Sequence, residues 1–281
     1  MIVSSNLPSP QVVPARPPGT VLVAAVDVEW SKNYRIRGGN VPFCYSVAWL
    51  ALPRGGAKTS LGKGPFWYTS AYVHDTGETQ DLATRAGLAL GSVLRDADLI
   101  AGHQLSSDLA VLASASPLPV TGVAEARAAW HQRRQATTGG RRIVDTRYDA
   151  GHILACASRR LVDVCADLRL NVTQPELRGT SMTALHRRWL ETQDTTAREK
   201  ITVLNLRHSL STALIAAHAA GLGRWQGGLN VNRLLAAGLG GAFGWLGDAS
   251  RRCRHAVAAA VTAGRDAGSA AARTPRSLHN W

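Results

Sequence analysis

Residues 21–29 read VLVAAVDVE, and they set the fold of this chain of 281 residues. The first six are apolar and rich in branched side chains, which is typical of a strand covered on both faces of a sheet. Asp27 and Glu29 follow, with one residue between them. Because side chains alternate along a strand, both carboxylates leave the same face and can converge on one point. Two such charges favour a hard divalent cation, but most isolated D-x-E pairs are strand-edge charges in water, so a metal site and an ordinary strand end both stay open for this stretch alone.

The segments that follow predict an α/β domain. Strands at residues 42–52 and 66–73 are rich in Val, Tyr, Phe and Trp and are bounded by Gly- and Pro-containing turns, so they form an antiparallel meander with the first strand. Apolar residues then recur at helical spacing over residues 81–94, and a short buried strand at 98–102 leads into a helix at 104–113. Further along, we expect a basic stretch at 124–142 that ends in a loop, a strand end at 143–146, helices near 148–157, 160–168 and 181–190, and a long, widely buried helix at 197–221.

The composition bounds the class of partner. Lys and Arg total 32 against 19 Asp and Glu, a formal charge of +13, which favours an acidic partner such as nucleic acid. A genome of high GC content enriches Arg and Ala, and the added Arg raises the isoelectric point without any ligand, so both explanations stay open. The four cysteines show neither zinc-site spacing nor disulfide density, which indicates a reducing compartment. No signal peptide and no apolar run long enough to span a bilayer is found, so we expect a cytoplasmic protein without membrane contact.

The chain divides into three regions by composition. Residues 1–19 are rich in Pro and predict a disordered leader, residues 20–221 carry the strands and helices of the main domain, and residues 222–281 form an appendage rich in Gly, Ala and Arg.

A second group of polar residues lies where the fourth predicted strand turns into a helix. The sequence there is Gly102-His103-Gln104, followed by Asp108 within the first two turns of the helix. An acid near a helix N-terminus is favourable without any ligand, so this group alone decides little. Its order after the D-x-E strand, the meander, a helix and a strand is the informative feature.

That order resembles the DEDD-type 3′–5′ exonuclease superfamily, and the resemblance covers about residues 20–221. It implies a ribonuclease H-like fold: a mixed sheet, built as a three-strand antiparallel meander plus parallel strands, flanked by helices. It also implies that Asp27, Glu29 and Asp108 are catalytic and bind two Mg²⁺ or Mn²⁺ ions, for hydrolysis of phosphodiester bonds at single-stranded DNA or RNA ends. Gln104 stands where the family often has Asn, and Val144-Asp145-Thr146 matches a segment that supports structure.

The family's third motif, on a late helix, is altered here. In the Y-x-x-x-D form, Leu204 stands at the Tyr and His208 at the Asp; in the H-x-x-x-x-D form, His208 is the base and Ala213 stands at the acid. A fourth carboxylate is missing in both registers, so the second metal is expected to bind weakly. His208 is then a catalytic residue, as metal ligand or general base, or an ordinary helix histidine. The alternative function is a catalytically weakened or inactive nucleic-acid-binding protein that retains the exonuclease fold, and a lower third possibility is a domain for protein assembly.

Substrate binding is predicted from position. Aromatic side chains can stack on unpaired bases while Lys and Arg contact phosphates, and several such residues directly follow the two acids. Basic and aromatic residues are also common at solvent-facing strand ends, so this interpretation stays open. The candidate substrate-binding residues, with two from the second motif, are Trp30, Lys32, Tyr34, Arg35, His103 and Gln104.

Overall fold

The computed structural model describes residues 1–8, 13–32, 39–56, 59–135, 142–239 and 241–243. The chain divides into two units, Met1–Gly238 and Leu239–Trp281. The second unit contains only four described residues, at 239 and 241–243.

A mixed six-stranded sheet flanked by helices gives the first unit its α/β architecture, as the sequence predicts. Its strand order is β1-β4-β3-β2-β5-β6. Strands β2, β3 and β4 form the predicted antiparallel meander, and β5 and β6 extend it as parallel strands. The strands are β1 (Ile2–Ser5), β2 (Thr20–Ser31), β3 (Val41–Pro53), β4 (Phe66–Tyr72), β5 (Leu99–Gly102) and β6 (Arg142–Asp145).

Seven α-helices, three short 3₁₀ helices and a small parallel pair of strands complete the described part of the first unit. Of the described helices, none combines the length and the apolar character needed to cross a membrane. The helices are α1 (Thr79–Asp96), α2 (Leu105–Ser114), α3 (Thr121–Gln132), α4 (Leu161–Asp167), α5 (Met182–Thr192), α6 (Thr195–Ala219) and α7 (Val231–Gly238), and the strand pair is β7 (Leu170–Asn171) with β8 (Leu229–Asn230).

Helix α6 is buried along most of its length, as its two apolar faces predict. The carboxylate of Asp194 begins it by accepting the backbone N–H groups of Thr196 and Ala197, at 2.9 and 3.2 Å. The helix packs across β2 and β3, on the face of the sheet to which Asp27 and Glu29 point. The alternate residues of β2, among them Val26 and Val28, join the core beneath α1 instead.

The two ends of the first unit differ from the prediction. Residues 1–19 are expected to be a disordered leader, but Ile2–Ser5 pairs with β4, where the sheet edge offers free backbone groups. Residues 9–12 of that leader lie outside the described residues. The first unit also extends past residue 221, because β8 pairs with β7 and because Val231 and Leu235 of α7 are buried.

Two internal segments also differ from the prediction. Instead of a helix near residues 148–157, the chain makes a turn and a single 3₁₀ turn, Gly151–Ile153. The Asp149 carboxylate accepts the backbone N–H of Asp145 at 3.0 Å, which closes the turn after β6 and competes with helix formation. Helix α3 covers the first part of the predicted basic stretch.

Candidate metal centre

The fold brings together three of the predicted site residues, two from β2 and one from α6. The Nδ1 atom of His208 lies 3.1 Å from Oε1 of Glu29 and 3.5 Å from Oδ2 of Asp27. One ligand atom from each of the three lies within 4.8 Å of the other two. The side chains of His208, Asp27 and Glu29 are 24%, 13% and 10% exposed, so the cluster keeps partial contact with solvent.

This set of donors fits one divalent ion. Protein ligands lie about 2.0–2.2 Å from Mg²⁺ or Zn²⁺, so ligand atoms that share an ion are separated by no more than roughly twice that distance. Because no two of these ligand atoms are more than 4.8 Å apart, a small inward movement of the side chains is enough. Two carboxylates suit Mg²⁺ or Mn²⁺, while an imidazole nitrogen shifts the preference towards Mn²⁺ and other transition metals.

His208 carries a positive charge of its own between the two carboxylates. Burial lowers its pKa, but the hydrogen bonds and negative charges of Asp27 and Glu29 outweigh burial and raise the pKa to about 10. Burial raises the pKa of Glu29, and the charge of Asp27 adds to that effect, against the hydrogen bond from His208. The imidazolium therefore balances part of the acidic charge at neutral pH, and a metal ion would have to displace its proton.

Asn205 is a site residue that the sequence reasoning missed. Its Nδ2 donates to Oδ2 of Asp27 at 2.6 Å, and its side-chain oxygen accepts from the thiol of Cys44 at 3.7 Å. Asn205 is fully buried and precedes His208 by three residues, so both lie on the face of α6 that meets β2. The sequence offered one indication of this role, which is an amide side chain three residues before His208 in a helix expected to be buried.

Asp108 lies near the cluster. Among the described residues, the side chains whose atoms could share one ion are those of Asp27, Glu29 and His208, and Asp108 is not one of them. The side chain is 3% exposed, and its Oδ2 atom makes no hydrogen bond to any described residue. Burial raises the pKa of this carboxyl well above its ordinary value, and the charges of Asp27, Glu29 and Asp145 raise it further. These charges place Asp108 within electrostatic range of the cluster, while its role as a metal ligand stays a prediction.

The turn between β5 and α2 is held by Asp145 at the end of β6. Its carboxylate accepts the backbone N–H groups of Gln104 and Leu105, at 2.9 and 3.0 Å. Gln104 adopts a left-handed conformation with φ of 62°, which allows the strand to turn directly into the helix. Asp145 therefore supports the second motif structurally, as the resemblance implies for its segment.

The candidate substrate-binding residues are only partly described. His103 Nδ1 lies 2.9 Å from the Thr146 hydroxyl, and burial lowers its pKa, so the ring is neutral at pH 7. The Gln104 amide donates to the Ser107 hydroxyl at 2.9 Å. Trp30 is half-buried against the core, and Lys32 is exposed. Tyr34 and Arg35 lie outside the described residues.

A buried ion pair supports the far side of the His208 ring. Gln174 Nε2 lies 3.3 Å from His208 Nε2. Two residues further along, Glu176 pairs with Arg207 of α6, and both side chains have no exposure to solvent. Arg207 Nε also donates to Asn232 at 2.7 Å. This pair ties the segment around Gln174 to α6 and so fixes the second neighbour of the imidazole ring.

Comparisons with protein-family models and with curated proteins find no match to this chain.

Proposed function

We propose that the protein is a metal-dependent 3′–5′ exonuclease-like hydrolase that cleaves phosphodiester bonds at single-stranded DNA or RNA ends. Its fold would be ribonuclease H-like, of the DEDD type, and the mixed six-stranded sheet is compatible with that. One observation carries the proposal: two pairs of residues that are far apart in the sequence meet at the end of β2. Asn205 contacts Asp27 across 178 positions, and His208 contacts Glu29 across 179 positions. This brings polar α6 residues to the D-x-E pair, as the third motif of the resembling family requires.

The chain's own residues have distinct roles in this proposal. Asp27, Glu29 and His208 would hold the ion, and the bound ion would stabilise negative charge on the phosphate as a Lewis acid. Asn205 keeps the carboxylate of Asp27 oriented through its 2.6 Å hydrogen bond. Gln174 contacts the opposite nitrogen of the His208 ring and so limits its rotation.

Charge supports a nucleic-acid substrate. The formal charge of +13 favours polyanions, and Lys32 lies exposed three residues after Glu29. Trp30, immediately after the second acid, can offer part of its ring to a base.

A second candidate function is nucleic-acid binding without catalysis. The observation that favours it is the His208 imidazolium, which lies between Asp27 and Glu29 and neutralises part of their charge without any metal. The Asn205 amide also occupies one oxygen of Asp27. If the proton on His208 outcompetes the available metal, the protein binds single strands and leaves them intact.

Labelled oligonucleotides separate the two functions. The purified protein is incubated with 5′-labelled and 3′-labelled single strands, with Mn²⁺, with Mg²⁺ and with a chelator. A 3′–5′ exonuclease gives a ladder from the 5′ label and single labelled nucleotides from the 3′ label, and Asp27→Asn abolishes both. Asp81→Asn is the matched control, because Asp81 is an exposed acid on α1.

Each outcome of that assay has one interpretation. Intact strands under both metals, with binding that persists and weakens steeply as salt rises, support the second function. Intact strands without binding contradict both functions. Activity that survives in Asp27→Asn excludes this cluster as its source. In addition, His208→Asp removes the competing imidazolium and adds a hard ligand, so Mg²⁺-supported cleavage should rise, and a fall would contradict the proposed role of this position.

A further inference from the structure

A cavity of about 230 Å³ lies between α1 and β3, and nothing in the proposed function uses it. Tyr45 and Trp49 of β3 line it, and their cross-strand partners in β2 are Val28 and Ala24. Residues directly opposite in an antiparallel pair share a face of the sheet, and Val28 alternates with Asp27 and Glu29. The cavity therefore opens on the face opposite the candidate metal centre.

Two deeply buried side chains at this cavity have polar groups without a partner. Tyr45 is 1% exposed and Trp49 is 4% exposed. Neither the Tyr45 hydroxyl nor the Trp49 indole N–H makes a hydrogen bond within the described part of the chain. Neither atom is among the fully buried unpaired polar atoms of the described residues, so both keep some access to solvent and are free to bond an occupant. Both groups can be satisfied by an acceptor atom inside the cavity.

The charge around the cavity is positive. Arg85 of α1 is half-buried at the lining and has no ion pair or hydrogen bond among the described residues. Burial raises the pKa of Tyr45, and the Arg85 guanidinium opposes that rise, so the two groups interact electrostatically. At the rim, Arg95 donates to Ser92 at 3.2 Å and pairs with Asp96 at 3.1 Å. No acidic side chain belongs to the described lining.

The rest of the lining is mostly apolar, with the hydroxyl-bearing side chains of Thr69 and Ser92 among it. Val47 lies on the sheet side at 2% exposure, and Leu88 of α1 is 59% exposed at the mouth. A wall of this kind favours a flat apolar body, while Tyr45, Trp49 and Arg85 favour oxygen acceptors that carry negative charge. The volume is below the range typical of sites for drug-sized molecules, so the occupant is small.

We propose that this cavity binds a small planar organic anion, in which a ring packs between Val47 and Leu88 and an anionic group accepts hydrogen bonds from Tyr45, Trp49 and Arg85. The chemistry is shared by aromatic carboxylates and by small nucleotides. The proposal does not depend on the function proposed for the metal centre, because the two sites share no residue.

Calorimetric titration with matched probes tests the site on the full chain. Benzoate is the first probe, and benzamide has the same shape without the charge. Benzoate should bind with a Kd on the order of 0.1–1 mM, and benzamide at least about tenfold more weakly, because a hydrogen bond to a charged group exceeds one to a neutral group. Uridine 5′-monophosphate and inorganic phosphate complete the set. If uridine 5′-monophosphate binds more tightly than benzoate, the ligand is a small nucleotide rather than an aromatic carboxylate. If inorganic phosphate binds as tightly as benzoate, the ring has no role in binding.

Three variants locate the binding. Arg85→Met and Tyr45→Phe should each weaken benzoate binding about tenfold or more, and Arg187→Met, at an exposed position on α5, should leave it unchanged. Tyr45→Phe removes only an unpaired hydroxyl, so without benzoate it should unfold at the same temperature as the parent protein or higher. At a benzoate concentration near the Kd of the parent protein, benzoate should then raise the unfolding temperature of the parent clearly more than that of Tyr45→Phe. Absence of saturable binding by every probe, or equal binding by the parent and both cavity variants, overturns the proposal.

Discussion

Breaking the ion pair behind His208 tests how the candidate metal centre is held in place. Glu176 and Arg207 both have side chains with no exposure, and within the described part of the chain Arg207 Nη2 and Glu176 Oε2 make no hydrogen bond. Glu176→Leu would leave the guanidinium buried with only the Asn232 oxygen as a partner. Removing one member of a buried ion pair costs about 3–5 kcal/mol, which is a large fraction of the about 5–15 kcal/mol that stabilises a typical protein.

The expected result is a loss of about 3–5 kcal/mol in the free energy of unfolding, measured in urea. For a unit of this size, that loss lowers the unfolding temperature by roughly 6–20 °C. Glu191→Leu, at an exposed position on α5, is the matched control and should change the free energy by less than about 0.5 kcal/mol. The double variant Glu176→Leu with Arg207→Met should recover most of the loss, because apolar replacement of both partners leaves no buried charge.

The same variant should also weaken metal binding. Gln174 lies two residues before Glu176 and contacts the His208 ring, so release of this segment frees the ring to rotate. Loss of such an outer partner typically lowers metal affinity about 10–100-fold, which titration of Mn²⁺ can measure. If Glu176→Leu lowers the free energy of unfolding by less than about 1 kcal/mol, Arg207 is not left as an unpaired buried charge, and the reasoning is refuted. If stability falls while Mn²⁺ affinity is unchanged, the pair anchors the fold without positioning His208.

Three further predictions follow from single residues. His186 is buried, stacks on Phe43 and has its pKa lowered to about 4 from 6.5, so the unfolded state binds more protons between these values. Stability should therefore fall as pH drops from 6.5 to 4, by at most about 3 kcal/mol, and His186→Gln should flatten the profile. His208, with a pKa of about 10, should make Mn²⁺ affinity rise roughly tenfold per pH unit between about pH 7 and 9, and an affinity independent of pH would exclude it as a ligand. Gln104 and Gln193 have φ of 62° and 55°, a left-handed conformation that Asn adopts more readily than Gln. Replacing either residue by Asn should therefore raise the free energy of unfolding in urea by roughly 0.5 kcal/mol. A loss of stability at residue 104 alone would indicate that the hydrogen bond from Gln104 to Ser107 outweighs the backbone effect.

Local sequence patterns predicted much of the fold. The meander and the two parallel strands follow from apolar runs and turns, because strand alternation and turn chemistry depend on neighbouring residues. The strand β1 did not follow, since Ile2–Ser5 is ordered by the free edge of β4, and that edge is a property of the assembled sheet. Helix α3 was also missed, although its sequence TGVAEARAAWHQ favours a helix locally; only its close packing on α1 depends on the tertiary structure. Gly122 has its Cα so close to α1 that an added Cβ would lie 1.9 Å from the Gly87 oxygen, a close approach that no local pattern indicates.

For the candidate site, the sequence by itself determined that Asp27 and Glu29 share a face of β2, because side-chain direction alternates along any strand. It also singled out His208. Only the tertiary structure decided which groups meet those carboxylates: the position of α6 across the sheet brings His208 and Asn205 to them and leaves Asp108 outside the ligand set. The physical reason is that contacts between residues more than a hundred positions apart depend on how helices pack on the sheet, which is fixed by the shape of the whole core and not by any one motif.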